Sequence, residues 1–177
     1  MEEYNIKTKV VGVDISNETT TYAVVDIRGN ILAEESFATS DYPDVNNFVT
    51  VLSDKIVMLV EANGGYETIR SIGVSCPSAS SVSGCIENAA NLPWKGVIPL
   101  SAMLRDRIGL AVGLSNDAHI SSLGEYTFGS AHGQTDEYIP LVVTVSSQGE
   151  VGIRRDTEMD TYGNEESQPQ GKSTEVD

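Results

Sequence analysis

Apolar and polar residues alternate in short blocks along the first part of the chain, and these blocks predict three consecutive β-strands. The blocks cover residues 9–15, 20–27 and 31–39, and each is rich in β-branched residues. Arg28-Gly29-Asn30 is a turn sequence between the last two blocks. We therefore predict that the second and third strands pair as a hairpin.

The next segment repeats apolar residues at three- and four-residue steps, which is the period of a helix that buries one face. Asp44 is a suitable N-cap, and Asn63-Gly64-Gly65 is a suitable end. The pattern predicts one long helix, whose repeating residues are Val45, Phe48, Val49, Leu52, Ile56, Leu59 and Val60.

Shorter blocks follow. They predict a strand over residues 69–75, a short helix capped by Ser101 and running to residue 108, and a strand over 110–114. A helix over 118–128 with Asp117 at its start and a strand over 138–146 complete the pattern. The order βββαβαβα predicts an α/β fold in which helices pack on a mixed central sheet and the crossover strands are parallel.

The length and charge of the chain limit the classes of partner. A chain of 177 residues is long enough for one domain with its own core. Acidic residues outnumber basic ones 26 to 11, so the formal charge of -15 disfavours nucleic acid and anionic membranes as partners. After Gly149 large apolar residues become rare and acids common. We predict a folded unit over residues 1–153 and an acidic, disordered tail over 154–177.

Cysteine and histidine usage gives no metal-binding pattern. Cys76 and Cys85 form no Cys-x-x-Cys pair, and the two histidines lie far from them in sequence, so we expect neither a disulfide framework nor a zinc site. The first residues lack the basic character of a secretory signal, and no apolar run reaches the ~18 residues of a membrane span. A cytoplasmic location is the resulting expectation.

Five motifs occur in a fixed order along the chain. They are Val11-Gly12-Val13-Asp14, Ile72-Gly73-Val74-Ser75-Cys76-Pro77, Glu87-Asn88-Ala89-Ala90-Asn91-Leu92-Pro93-Trp94, Asn116-Asp117-Ala118 and Leu123-Gly124-Glu125. In order and spacing these motifs resemble the N-terminal domain of the ROK family, which comprises sugar kinases and sugar-responsive repressors. The resemblance extends over residues 9–149. It implies an actin-like ATPase (ribonuclease H-like) fold, a monosaccharide ligand, and ATP with Mg²⁺ as the cofactor of any kinase activity.

The resemblance assigns roles at the sugar site. It implies that Asp117 is the catalytic aspartate, which would accept a proton from the attacking sugar hydroxyl. Asn116 and Asn91 would bind the sugar. Asp117 is also a suitable helix cap, and Asn91 is a common turn residue. Trp94 is either a stacking platform or a packing plug, the second being the commoner role beside a proline. His119 stands where the family usually has another asparagine.

The phosphate-binding loops depart from the family pattern. The first loop, Asp-x-Gly-Gly-Thr in the family, corresponds to Asp14-Ile15-Ser16-Asn17-Glu18-Thr19. The residues that would bind the cofactor are therefore Asp14, Ser16, Asn17 and Thr19, in a degenerate loop that lacks both glycines. Glu18 adds a carboxylate that would repel the polyphosphate. The second loop, Ser146 to Gly152, keeps two glycines, and the family's second domain has no counterpart here.

These observations predict a truncated ROK sugar kinase-like protein that is catalytically weak or inactive. The alternatives are a non-catalytic, sugar-responsive regulatory or interaction module, one half of a split kinase, or a truncated product without a selected function. Residues 138–145 form an apolar strand with no predicted partner after it, which predicts a homodimer. The predicted contact includes Ile139, Leu141 and Val143, or the apolar face near Leu123 and Phe128.

Overall fold

A computed structural model of the chain describes residues 6–128, 141–145 and 151–155. Its strands are β1 (Lys9–Ile15), β2 (Thr19–Asp26), β3 (Ile31–Ala38), β4 (Ile69–Ser75), β5 (Ile86–Glu87), β6 (Val97–Ile98), β7 (Val112–Ser115), β8 (Leu141–Val145) and β9 (Val151–Arg155). Its α-helices are α1 (Val45–Ala62), α2 (Leu100–Ile108) and α3 (Asp117–Phe128). Single 3-10 turns cover Thr39–Asp41 and Tyr66–Thr68.

The central sheet contains five strands in the order β3-β2-β1-β4-β7. β1, β4 and β7 run parallel to one another, whereas β2 is antiparallel to both of its neighbours. The predicted βββαβαβα order and the mixed sheet with parallel crossover strands are confirmed. The carboxyl ends of β1, β3, β4 and β7 consequently lie at one edge of the sheet, which we call the carboxyl edge.

The core lies between one face of the sheet and the helices α1 and α2. Alternate residues of β1 (Val11, Val13 and Ile15) are buried in it. They share the core with the buried face of α1, which is the face that the periodicity predicts, and with apolar residues of α2. The Asp44 carboxylate accepts a hydrogen bond from the Asn47 amide at 2.8 Å, so the predicted cap of α1 is confirmed.

The start of α2 differs from the prediction. The helix begins at Leu100 after Pro99, and the N-cap position carries no side-chain hydrogen bond. The Ser101 hydroxyl instead donates to the carbonyl oxygen of Val112 at 2.7 Å. Ser101 therefore joins α2 to β7 and does not cap the helix, because its hydroxyl has a strand carbonyl within reach.

The predicted hairpin of β2 and β3 is confirmed, and one carboxylate organises its turn. Asp26 accepts hydrogen bonds from the backbone amides of Arg28 and Asn30 at 2.8 and 2.9 Å, and from the Asn30 side chain at 3.0 Å. The hydrogen bond from the Asn30 side chain is the main cause that lowers the pKa of Asp26. The turn is thus fixed by a local Asx-type interaction.

The expectation of an unpartnered strand near residue 140 was wrong. β8 pairs with β9 in an antiparallel ladder, in which Val143 lies opposite Ile153. β9 includes Arg154 and Arg155, where we had expected the tail to begin. The ladder satisfies backbone groups that the sequence pattern had left without a partner. The predicted tail from residue 156 onward, and Ile139, lie outside the described residues.

Candidate sugar site at the carboxyl edge

Three polar residues end the parallel strands of the sheet in one row. Asp14 of β1 lies beside Ser75 of β4, and Ser75 lies beside Ser115 of β7. The row spans about 10 Å, because neighbouring strands are ~4.8 Å apart. Asp14 is exposed, Ser115 is half-buried and Ser75 is buried. Ligand sites of α/β folds lie at such an edge. Ser75 and Ser115 were not predicted as site residues, since only the strand register places them beside Asp14.

Asn116 and Asp117 follow directly after β7, at the start of α3. The Asn116 side-chain oxygen accepts a hydrogen bond from the His119 amide at 2.7 Å. The Asn116 carbonyl accepts the first helical hydrogen bond, from the Ile120 amide at 3.1 Å. Asn116 is therefore the N-cap of α3, and Asp117 is the first helical residue.

Asp117 uses one of its carboxylate oxygens locally. This oxygen accepts a hydrogen bond from the Ala118 amide at 2.8 Å. Within the described part of the chain, the other oxygen has no partner, and the side chain is half-buried. Asp117 lies in the first turn of α3, at the positive end of the helix dipole. The arrangement leaves one oxygen that can accept a hydrogen bond from a hydroxyl group.

The Asn116 amide group is also only half used. Its oxygen caps α3, whereas its NH₂ group has no acceptor among the residues described. Asn116 can thus offer a ligand hydrogen-bond donors but not its side-chain oxygen. His119 is exposed on the first turn of α3, one turn above the cap. The helix-cap role that we considered for Asp117 is filled by Asn116.

The turn between β1 and β2 corresponds to the first phosphate loop of the resemblance. The Ser16 amide and hydroxyl both donate to the Thr19 carbonyl, at 3.0 and 2.9 Å, and the Thr19 amide donates to the Ser16 hydroxyl at 3.0 Å. Asn17 and Glu18 are exposed at the tip. The amides of Ser16 and Thr19 are therefore satisfied inside the turn, and phosphate oxygens would have to compete for them.

The residues of this turn do not fit the polyphosphate of ATP. A phosphate cradle needs backbone N–H groups that point to open space, and two amides of this turn point inward. The exposed Glu18 carboxylate adds a repulsive charge at the tip. Asp14 is the residue here whose exposed carboxylate suits a divalent cation.

Asn91 lies on the loop between β5 and β6, and Trp94 anchors this loop. Trp94 is 3% exposed, and its ring packs in a tilted arrangement against Phe48 of α1, with the ring centroids 4.3 Å apart. Its indole N–H donates to the Tyr42 carbonyl at 3.0 Å. Tyr42 follows β3, so the loop is fixed near the carboxyl edge. The packing role of Trp94 is confirmed.

Asn91 itself is exposed. In the described structure no hydrogen bond joins its side chain to Asn116 or Asp117. The structure therefore brings Asn116 and Asp117 together directly after Ser115, which shares a row with Ser75 and Asp14. It shows no direct contact between Asn91 and these residues in the described part of the chain.

Among the described residues, Cys76 and Cys85 form no disulfide bond. Within residues 6–128 and the two later strands, no group of three His, Cys, Asp or Glu side chains could hold a metal ion. The helices of the described chain include none that is long and apolar enough to cross a bilayer.

Comparison with known proteins identifies the lineage. The model of the ROK family matches residues 10–149. The chain belongs to the ROK family. The glucokinase of Streptomyces coelicolor is 31% identical over 125 residues, which are 70% of this chain and 37% of that protein. A xylose repressor of Caldicellulosiruptor bescii is 27% identical over 138 residues, which are 77% of this chain and 34% of the repressor.

Solved ROK structures have the same fold. The ROK hexokinase of Thermus thermophilus superposes with a TM-score of 0.68 at 25% identity, over 83% of this chain and 46% of the hexokinase. A ROK glucokinase of Streptomyces griseus, solved with glucose and AMPPNP, has a TM-score of 0.63 at 26% identity, over 83% of this chain and 44% of that chain. The fold is that of the actin-like ATPases. This ROK chain spans less than half the length of each of these four relatives.

Proposed function

We propose that this chain is the sugar-contacting lobe of a ROK hexose kinase-like protein and that, by itself, it phosphorylates sugar weakly or not at all. Asp117 would accept a hydrogen bond from a sugar hydroxyl, and Asn116 would donate one to a sugar oxygen. Asn91 would contact the sugar from the loop anchored by Trp94.

One observation carries the proposal. Asn116 and Asp117 are adjacent at the end of β7, and each keeps one polar group without a partner in the described structure, an NH₂ donor and a carboxylate oxygen. A hydroxyl of a pyranose offers the donor that the Asp117 carboxylate can accept, and a neighbouring sugar oxygen offers the acceptor for the Asn116 NH₂ group. A pure helix cap would need only one of these two side chains.

Weak phosphoryl transfer follows from the turn at Ser16. Phosphoryl transfer depends mainly on positioning and on electrostatic stabilisation of the transferred group. The turn keeps two amides for itself and presents Glu18. Any activity would use ATP with Mg²⁺. Asp14 is the carboxylate of β1 that could bind the Mg²⁺ ion. Phosphoryl transfer would also need groups that this lobe does not provide.

Sugar affinity should also be low, because this lobe provides only part of a binding cleft. The described residues form one wall, so most of a bound monosaccharide would remain in water. A few hydrogen bonds must then offset the association entropy, and we expect a dissociation constant of about 1 mM or weaker.

The test is a titration of the ¹⁵N-labelled chain with glucose, followed by other hexoses, with amide shifts as the readout. Shifts should concentrate at residues 115–119 and saturate only at millimolar sugar. Asp117→Asn should abolish them, and Arg107→Ala, an exposed substitution on α2, should leave them unchanged. Shifts that are absent for every hexose, or unchanged in Asp117→Asn, would overturn the sugar-contacting role.

A non-catalytic, sugar-responsive regulatory module is a second candidate. The similarity to the xylose repressor supports it. Sugar binding that needs neither ATP nor Asp117 would favour this candidate over the kinase lineage. The remaining candidate is one half of a split kinase. Kinase activity that appears only when a separate chain supplies the other lobe would identify it.

A homodimer and a cytoplasmic location complete the proposal. The pairing of β8 with β9 removes one reason to expect a dimer. A second reason remains, because β3 is an exposed edge strand whose backbone groups can pair with a second chain. Two cysteines nine positions apart do not make a disulfide framework, and this sequence pattern fits a reducing compartment.

A further inference from the structure

Helix α1 ends in an Asn-Gly dipeptide, and this dipeptide occurs once in the chain. Asn63 follows the last residue of the helix, and Gly64 follows Asn63. The backbone nitrogen of the residue after an asparagine can attack the asparagine side chain. Glycine permits this reaction most readily, because it has no side chain that blocks the approach. The end of α1 therefore has the residues for a spontaneous backbone reaction.

Asn63 closes α1 through hydrogen bonds of its backbone and its side chain. Its backbone amide donates to the Val60 carbonyl at 3.0 Å, and its side-chain NH₂ group donates to the Leu59 carbonyl at 2.8 Å. Its own carbonyl accepts a hydrogen bond from the Lys9 ammonium at 2.7 Å. This bond fastens the end of α1 to the start of β1, and Leu59 holds the side-chain amide against the helix.

Gly64 has the opposite character. It is exposed, and its amide donates no hydrogen bond to any residue of the described chain. Gly64 and Gly65 have φ angles of 108° and 75°, which glycine adopts without steric cost. The Gly64 nitrogen is therefore available as a nucleophile, and water has access to the same peptide bond.

We propose that Asn63-Gly64 is a site of spontaneous deamidation and that the Lys9 contact slows the reaction. The Gly64 nitrogen loses its proton and bonds to the side-chain carbonyl carbon of Asn63, and the side-chain nitrogen leaves as ammonia. Water then opens the resulting cyclic imide at either of its carbonyl carbons. The product is aspartate, or isoaspartate when the main chain continues through the former side chain.

The observed conformation is the protected one. Before the attack, the Asn63 side chain must leave the Leu59 carbonyl, so the last turn of α1 must open. The attack also requires rotation about the Cα–C bond of Asn63, which moves the carbonyl that Lys9 holds through a charge-assisted hydrogen bond. Helix ends open locally at a lower free-energy cost than the core does. The reaction rate therefore reports how often this end of α1 opens.

The reaction weakens the connection between α1 and β1. A carboxylate at position 63 cannot donate to the Leu59 carbonyl, and it lies at the negative end of the helix dipole. The Lys9 ammonium offsets part of this effect for aspartate. Isoaspartate lengthens the main chain by a methylene group and displaces the carbonyl that Lys9 holds. The modified chain, and the variant Asn63→Asp that reproduces the aspartate product, should therefore unfold at a lower urea concentration than the wild type.

The test follows the masses of tryptic peptides while the full chain is incubated at mildly alkaline pH. Trypsin cleaves after Lys55 and Arg70, so the peptide of residues 56–70 contains Asn63 as its one asparagine. Asn17 is the control within the same chain, because it is exposed in a turn but is followed by Glu18. Conversion at Asn63 should exceed conversion at Asn17 by about threefold or more.

Two further comparisons measure the protection. A synthetic peptide of residues 56–70 gives the rate without the fold, and the folded chain should react more slowly than this peptide. Lys9→Met removes the donor to the Asn63 carbonyl but keeps most of the side-chain length, and it should raise the rate in the folded chain by about threefold or more. Lys9→Arg keeps a cationic donor and should react like the wild type.

Several results would overturn the proposal. Conversion at Asn63 that is absent, or no greater than at Asn17, while the synthetic peptide reacts, would show that Asn63-Gly64 is not a reactive site in the folded chain. Equal rates in the folded chain and the peptide would show that the fold gives no protection. An unchanged rate in Lys9→Met, with the helical circular dichroism spectrum retained, would exclude control by Lys9. If Lys9→Met does not fold, a rate in Lys9→Arg equal to that of the synthetic peptide would exclude it instead.

Discussion

The Asn116 side-chain oxygen accepts the His119 amide at 2.7 Å, so Asn116 is the cap of α3 and Asp117 is released from that role. Helix capping and ligand binding would use different groups of the Asn116 side chain. A cap needs only the oxygen of Asn116, whereas a sugar would use its NH₂ group.

Two substitutions of Asn116 test this separation. Asn116→Ala removes the cap and should lower the free energy of unfolding by about 1 kcal/mol. Asn116→Asp keeps a good cap and should leave stability nearly unchanged, but it removes the donor and should abolish the sugar-induced amide shifts. Urea unfolding and the glucose titration measure the two effects. Equal sugar response in Asn116→Asp and the wild type would contradict the donor role.

Trp94 should be among the most sensitive core positions, because its ring packs on Phe48 and its N–H is satisfied by Tyr42. Trp94→Ala should lower the free energy of unfolding by about 3–5 kcal/mol. Met58→Ala, at a side chain that is 72% exposed, should change it by less than ~0.5 kcal/mol. Similar urea midpoints for the two variants would show that Trp94 does not anchor the loop of Asn91.

Tyr22 should make stability fall at alkaline pH. Burial, and then the hydrogen bond to Glu35 at 2.5 Å, raise the pKa of Tyr22 above its ordinary value of 10.0. The folded chain therefore retains a proton that the unfolded chain releases, and the free energy of unfolding falls as pH rises above about 10. One such group gives a slope of at most ~1.4 kcal/mol per pH unit.

Tyr22→Phe removes the titrating group and should flatten this slope by that amount, with Tyr42→Phe as the control. Urea unfolding between pH 9 and pH 11.5 provides the comparison. Parallel slopes for Tyr22→Phe and the wild type would refute a role for the Tyr22 and Glu35 pair in the alkaline loss.

The turn at Ser16 predicts that the chain does not bind AMPPNP with Mg²⁺ at ~1 mM. Glu18→Gln removes the repulsive carboxylate but should not create binding, because the Ser16 and Thr19 amides stay bonded inside the turn. Calorimetry checks both proteins. Binding that appears in Glu18→Gln would mean that charge alone, and not the closed turn, prevents nucleotide binding.

Periodic features of the sequence predicted most of the fold. α1 has an unambiguous helical period and a cap at Asp44, and β1 to β4 have β-branched blocks bounded by turn residues. β5 and β6 have two residues each, which is too short for any period. β9 contains Gly152 and two arginines, so its strand conformation depends on pairing with β8 and not on local propensity.

The candidate site was predictable in part. The motif around Asp117 indicated the right junction, but the capping role depends on a helix boundary that sequence defines only within a few residues. Ser75 became a neighbour of Asp14 only through the parallel register. Local sequence patterns do not predict how strands that are far apart in sequence align with one another.

The most direct test of the central claim is a coupled assay of glucose phosphorylation with ATP and Mg²⁺, with the wild type and Asp117→Asn measured side by side. The account predicts no turnover by the wild-type chain above the level of the Asp117→Asn variant, although the wild type shows the sugar-induced amide shifts and the variant does not. Wild-type turnover that disappears in Asp117→Asn would show that this lobe completes phosphoryl transfer by itself, and it would contradict the account.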